Sequence, residues 1–162
     1  MVPGEPSDLQ RQLVGLLDDP REDMDVEIKD WLDLDSSVAA AELVRELLAL
    51  ANHGGGTLLF GFRDTAQDWI PSADCPFSMA RYSQDAINNL CRRHADPPFQ
   101  CTVRRLFSTA GREHVVIEVP GGHRVPIRAK RDVEGSKLKQ NVYYVRRPGP
   151  ESAPVGSSQE WD

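Results

Sequence analysis

Twenty-five of the 162 residues are carboxylates, and five of them crowd into one stretch, EDMDVEIKDW at 22–31. Met24, Val26, Ile28 and Trp31 are spaced among polar residues, which predicts a strand over roughly 23–32 with one face buried. Asp23, Asp25, Glu27 and Lys29 then share the other face, and Glu22 stands at the strand's entry. Neighbouring like charges repel, so this face is either a solvated edge or one that something cationic neutralises. A further acid, Asp64, ends a second apolar run in GFRD. If the two strands are neighbours, Glu22, Glu27 and Asp64 converge. Carboxylate oxygens of that kind are what hard cations such as Mg²⁺ or Mn²⁺ take as ligands. A metal held there orients a nucleophile and offsets charge that develops on a phosphate. The competing reading is an ordinary solvated acidic face.

A second set of residues is basic. Arg124, Arg128, Lys130, Arg131, Lys137, Lys139, Arg146 and Arg147 lie close together in sequence, with Tyr143 and Tyr144 among them. Strands that carry arginine and aromatics track a phosphate backbone and stack bases. The alternative is a plain solvated hairpin. The glycines of NHGGGTLLFG follow a predicted helix and precede a strand, with no lysine after them. That order excludes a Walker loop and fits a helix cap with a tight turn, or else a close approach of backbone or ligand. His53, His94, His114 and His123 have no zinc-ligand spacing. No GxSxG or Cys–His signature supports nucleophilic catalysis.

The elements that must position these groups follow from periodicity and punctuation. Residues 7–18 read as a helix capped by Ser7, with Leu9, Leu13, Leu16 and Leu17 on one face and Pro20 beyond its end. A longer helix runs from Ser36 or Ser37 to Asn52, and TLLFGF is a buried strand. A polar loop spans 64–77 and another helix about 79–94. QCTVRRLFS and EHVVIEVP predict a hairpin, and RVPIRAK and NVYYVRR two more strands. The order is that of a mixed α/β or α+β single domain, one main mixed sheet flanked by helices. The expected divisions are an N-terminal helix and linker at 1–21, the domain at 22–150, and a Pro/Gly/Ser-rich tail at 151–162.

Net charge is −6, but it is unevenly spread. Residues 1–100 hold 8 Lys+Arg against 18 Asp+Glu, residues 101–150 hold 11 against 4, and the last twelve hold 0 against 3. An acidic front half suits a metal site and a basic back half suits phosphate. The three cysteines, Cys75, Cys91 and Cys101, form no CxxC pair and read as reduced thiols of a cytoplasmic protein. No run of about 18 apolar residues is present, so no membrane partner is expected. The N-terminus lacks the basic start and apolar core of a signal peptide.

EDMDVEIKDW, ELVRELLALANHGGGTLLFGFRD, VPIRAK and NVYYVRRPGPESAPVGSSQEW together resemble the Schlafen AlbA_2 domain. The shared pattern is E-x(4)-E-[FLIV]-K, a helix ending in A-N-x-x-G-G, an L-x-F-G-V-x-D strand, and a late YYxR segment followed by small polar residues. The resemblance runs from about 22 to 161. It implies a metal-dependent endoribonuclease acting on structured RNA such as tRNA, with Glu22, Glu27 and Asp64 holding Mg²⁺ or Mn²⁺. Lys29 is then placed to reach a phosphate oxygen or tune the carboxylates, and Arg128, Lys130, Lys137, Lys139, Arg146 and Arg147 to contact nucleic acid. Other members of the family are described as DNA-binding or regulatory domains, which makes a non-catalytic DNA- or RNA-binding module the alternative. A further possibility, from the charge alone, is a protein-interaction domain whose basic face meets an acidic partner. The chain departs from the family's frequent DD pair: Arg63 takes one of those places, and Asp68 lies further on. Nuclease members use two tandem lobes as a clamp, so one lobe implies a homodimer, and the tail implies a further C-terminal domain outside this chain.

Overall fold

The computed structural model describes residues 7–155. Ser7 starts α1 (Asp8–Asp18) through a reciprocal capping box with Gln10, and Leu13 and Leu17 form its buried face. The first strand is shorter than the expected 23–32. Asp23 folds back on Val26 through a pair of backbone hydrogen bonds, leaving β1 as Val26–Lys29. Ser36 caps α2 (Ser37–Asn52), whose residues 46–51 are all buried. Strand β2 is Gly56–Phe60. The expected single strand through Phe62 breaks at Gly61, which sits at φ 95°.

Beyond that break, β3 (Phe62–Asp64) and β4 (Trp69–Pro71) form a hairpin where a loop was expected. The expected helix over 79–94 divides at Ser83 into a 3₁₀ turn, Met79–Tyr82, and α3 (Gln84–His94). Ser83 ends the first and its hydroxyl caps the second. After the short β5 (Ala95–Asp96), β6 (Thr102–Phe107) and β7 (Glu113–Val119) form the expected hairpin. The two late strands shrink to β8 (Arg128–Ala129) and β9 (Tyr144–Arg147). Pro126 lacks a ladder donor and helps keep the segment before β8 out of a sheet. Residues Glu151–Pro154, read from sequence as tail, form β10 and pair antiparallel with β9. The GSSQEW segment of the expected tail lies outside the described residues.

The main sheet has the order β1-β2-β7-β6, with β1 and β2 parallel and the other pairs antiparallel. This is the expected α+β arrangement with a mixed sheet. One face packs Val26, Ile28, Leu59, Phe62 and Val116 against Leu13 and Leu17 of α1. The other packs Leu58, Phe60, Val115 and Ile117 against α2, α3 and Tyr144. Asn52, expected only as a helix stop, ties the second layer together. Its amide donates to the Ile127 and Tyr144 carbonyls at 2.9 Å each, and its carbonyl accepts from the Ile127 N–H at 2.8 Å. The last turn of α2 is thereby fixed to β9, and β9 brings Arg146 to the edge of the sheet.

Candidate functional site: a buried acidic cradle and a basic surface

Glu27 and Lys29 occupy the face of β1 that looks toward α2, so neither is solvated as a free edge would be. Glu27 is 6% exposed. Its Oε2 accepts from Nη1 of Arg146 at 2.5 Å, and the Arg146 side chain is fully buried. The same guanidinium donates to the carbonyls of Met24, Asp23 and Val26 at 3.1, 2.6 and 3.2 Å. It therefore neutralises the acid and also satisfies the open edge of β1. A third carboxylate joins from α2. Glu46, 3% exposed, accepts from the Ser152 hydroxyl at 2.6 Å and lies 3.7 Å from Arg146. Lys29 closes the group, with Nζ 3.1 Å from Glu42 and 3.6 Å from Glu46.

Glu22 approaches from the strand's entry and accepts from the Ile28 N–H at 3.4 Å. Burial raises the carboxyl pKa of Glu27, the hydrogen bond and charge of Glu22 raise it further, and Arg146 pulls it back, so that it is pushed up to about 7. Burial raises Glu46 as well, and the charge of Glu27 adds to this. For Lys29 burial works against the ammonium, but Glu46, Glu42 and Glu27 outweigh it and hold its pKa above the ordinary lysine value. The cradle thus concentrates acids whose charges are partly cancelled by two internal cations and partly by protonation.

Glu22 and Glu27 come together, with a side-chain hydrogen bond between their carboxyls. The structure does not bring Asp64 to them through any hydrogen bond or ion pair. It stands exposed at the end of β3, past the bend at Gly61, opposite Trp69. Asp68 is exposed in the same hairpin, its backbone carbonyl closing a turn on Thr65. The residues as placed do not fit a divalent ion. Glu27 and Glu46 already hold arginine, lysine and serine, and among the described residues no group of three His, Cys, Asp or Glu side chains is arranged to take one. Sequence reasoning missed Glu46. Its signal was an acid set inside the apolar run ELLALA of a helix that must bury that face.

The basic residues divide into two kinds. Arg146, expected at a phosphate, is buried and spends its guanidinium on the cradle. Arg147 is half-buried and donates to the Pro154 carbonyl at 2.7 Å. Arg128 pairs with Asp96 at 2.9 Å. Lys130, Lys137 and Lys139 are exposed, as is Arg131 between them in sequence. The last two lysines flank buried Leu138, and the Tyr144 hydroxyl donates to the Lys137 carbonyl at 2.7 Å and accepts from the Lys139 N–H at 2.9 Å. The loop is therefore pinned with its lysines outward. Cys75, Cys91 and Cys101 are free thiols. No helix among the described residues is long and apolar enough to cross a membrane.

The family model described as "Schlafen, AlbA_2" matches residues 22–153. No match was found among the curated proteins. Among solved structures, the DIP2311 protein from Corynebacterium diphtheriae is similar with a TM-score of 0.57 at 16% identity, over 91% of this chain and 26% of that one. The N-terminal domain of an ATP-dependent DNA helicase RecG-related protein from Nitrosomonas europaea is similar with a TM-score of 0.54 at 18% identity, over 81% of this chain and 87% of that one. This chain thus spans about a quarter of the length of the Corynebacterium protein.

Proposed function

The chain belongs to the Schlafen AlbA_2 family, and from that premise we propose that it is a nucleic-acid-binding domain that grips backbone phosphates through the segment between β8 and β9. The observation that carries this reading is where the unpaired cations lie. Lys130, Arg131, Lys137 and Lys139 are exposed and have no carboxylate partner among the described residues. Elsewhere Arg11, Arg21, Arg81, Arg104, Arg105 and Arg146 are held in ion pairs, and the exposed arginines without a carboxylate partner among the described residues, Arg63, Arg92, Arg93, Arg112 and Arg124, are more widely spread in sequence. Four free cations within ten residues of an acidic protein release counterions when they meet phosphates, which favours binding at low salt.

A second reading is metal-dependent endoribonuclease activity on structured RNA such as tRNA, with Mg²⁺ or Mn²⁺ and with Glu22, Glu27 and Asp64 as its acids. What favours it is the Glu22–Glu27 pair, which keeps one carboxyl near neutral pKa, as acid–base chemistry requires. It demands that Glu27 leave Arg146 and that Asp64 swing toward the cradle.

One experiment separates the readings. End-labelled tRNA, single-stranded DNA and duplex DNA are incubated with the chain in Mn²⁺, Mg²⁺ or EDTA, alongside Glu22→Gln/Glu27→Gln. We expect salt-sensitive binding in all three conditions, with no cleavage. Metal-dependent cutting that the double variant loses would establish the nuclease reading instead. Absence of binding at low salt would remove the nucleic-acid reading.

A further inference from the structure

At the end of β6 the main sheet leaves an aromatic side chain in solvent. Phe107 is 58% exposed, more than any other large apolar side chain among the described residues. It lines a cavity of about 400 Å³, within the range of about 300–1,000 Å³ usual for small-ligand sites. Trp31, just past β1, and Met79, at the start of the 3₁₀ turn, line it too. The indole is held in place. It lies parallel to Phe60 with ring centroids 6.3 Å apart and edge-on to Tyr82 at 5.6 Å. Its Nε1–H donates to the Ala73 carbonyl at 3.0 Å. Gly61 gives it room, since a Cβ there would stand 2.8 Å from the ring.

The acidic side chains of this cavity have oxygens to spare, and its side-chain donors are already engaged. Asp74 is exposed and makes no hydrogen bond or ion pair among the described residues. Glu113, opposite Phe107 in the β6–β7 register, gives Oε1 to Arg105 at 2.7 Å and keeps Oε2. The Trp31 indole is bonded to Ala73, and the Cys75 thiol donates to the Phe77 carbonyl at 3.5 Å. An occupant that matches this lining is flat, to lie on aromatic surface, and brings N–H donors on one edge to an ionised carboxylate, which only accepts. Among the nucleobases guanine alone sets two donors side by side, N1–H and the exocyclic amine, spaced for the two oxygens of one carboxylate. Adenine and cytosine place an acceptor beside their amine, and uracil flanks its N–H with two carbonyls. Arg112, between Gly111 and Glu113 of the lining, is exposed and spends one bond, at 3.2 Å, on the Ser72 carbonyl. Its other donors are free to meet a phosphate.

We propose that this cavity seats an unpaired guanine of a single-stranded nucleic acid. The base stacks on the Trp31 and Phe107 surface, Asp74 reads its Watson–Crick edge, and Arg112 takes the phosphate of the same nucleotide. The site rests on the nucleic-acid reading above and adds a base preference to it. It borders the same β1–α2 connection as the lysine-bearing loop: Trp31 leaves β1, and Val38 at the start of α2 lies 3.5 Å from where a Gly135 Cβ would stand.

The test uses labelled oligouridines carrying one central guanine, adenine or cytosine, with the all-uridine strand and duplex DNA beside them. Each is titrated against the whole chain by fluorescence anisotropy at about 50 mM salt, where phosphate contacts hold strongly. The single-guanine strand should bind at least about tenfold more tightly than the other three, the scale of one stacked base with a bidentate edge contact. Phe107→Ala should bring it to the all-uridine level, with a melting temperature close to wild type because the ring is exposed. Asp74→Asn should erase the guanine advantage and leave all-uridine affinity as it was, which a purely structural role would not do. Lys137→Gln/Lys139→Gln should weaken all four strands together and keep their ratios. Equal affinity for the four strands, binding confined to duplex, or a guanine advantage that survives either Phe107→Ala or Asp74→Asn would overturn the guanine site and leave the nucleic-acid reading standing. Wild-type chain that binds neither the strands nor the duplex would remove both.

Discussion

Arg146 serves at once as a counter-ion to Glu27 and as a donor to three carbonyls, those of Asp23 and Met24 ahead of β1 and of Val26 at its start. A guanidinium can do both because its five donors fan out in one plane. Removing it leaves two buried carboxylates with less compensation, which in comparable settings costs about 3–5 kcal/mol. The raised carboxyl pKa of Glu27 has a consequence of definite sign. A raised folded-state pKa contributes stability that is fully present below the unfolded carboxyl value, about 4.3, and is lost as pH rises through about 7. Wild-type protein should therefore melt progressively lower from pH 5 to pH 8, by several degrees on the order-of-magnitude scale for a chain of this size. His94 and His114, whose pKa values burial lowers, act in the opposite sense and lose stability as pH falls. Comparing variants isolates the acid: Glu27→Gln should flatten the decline between pH 5 and 8. Melting curves of the two proteins that stay parallel across that range would mean another group titrates. The sequence marked Glu27 and Lys29 as one strand face by period two. It did not indicate that a residue 119 positions away would cover them, because nothing local encodes which element docks on a face.

At the scale of elements, the glycines show how much is legible and where that stops. NHGGG was readable as a helix stop and turn, and the chain does turn there, with Gly54 and Gly55 at φ 102° and 98°. The Gly55 N–H bonds back to the Leu50 carbonyl at 2.9 Å. The tighter constraint comes from contacts between elements. A Cβ on Gly56 would stand 2.6 Å from the Asp25 carbonyl oxygen, where β2 enters beside β1. A Cβ on Gly121, just past β7, would meet the Gly54 carbonyl oxygen at 1.9 Å. These two glycine clusters are each other's packing partners, a relation invisible from either stretch alone. The long helices and the β6–β7 hairpin were legible because each carries its own caps or turn. β10 and the β3–β4 hairpin were not, since short strands rich in Pro, Ser and Asp depend on a partner to become strands. Gly121→Ala should destabilise the chain by about 1–3 kcal/mol, the range for overpacking that forces backbone to move. Gly111→Ala is the control for added side-chain volume, because nothing lies within 4 Å of its Cβ position. Gly111 sits at φ 85°, so its own cost is one of backbone strain. Chemical denaturation checks this, and a Gly121→Ala chain within about 0.5 kcal/mol of wild type would show that the approach to Gly54 is not the constraint.

Across the whole molecule, a net charge of −6 conceals a division of labour between paired and unpaired groups. The acids of the cradle face inward and are met by Arg146 and Lys29, so they add little to the field that a polyanion encounters. The cations that remain free between β8 and β9 set the salt dependence expected if this segment alone holds phosphates. Lys130, Arg131, Lys137 and Lys139 are exposed there and have no carboxylate partner among the described residues. At about 0.9 counterions per contact on duplex and about 0.7 on a single strand, four contacts give log–log salt slopes near −3.6 and −2.8. A measured slope between about −3 and −5 on duplex fits binding by this set with the fold unchanged. A slope steeper than about −5 requires contacts beyond this segment, for which Arg63, Arg92, Arg112 and Arg124 are exposed and without a carboxylate partner among the described residues. A slope near zero would remove phosphate contact as the source of affinity and return the basic segment to an ordinary solvated surface.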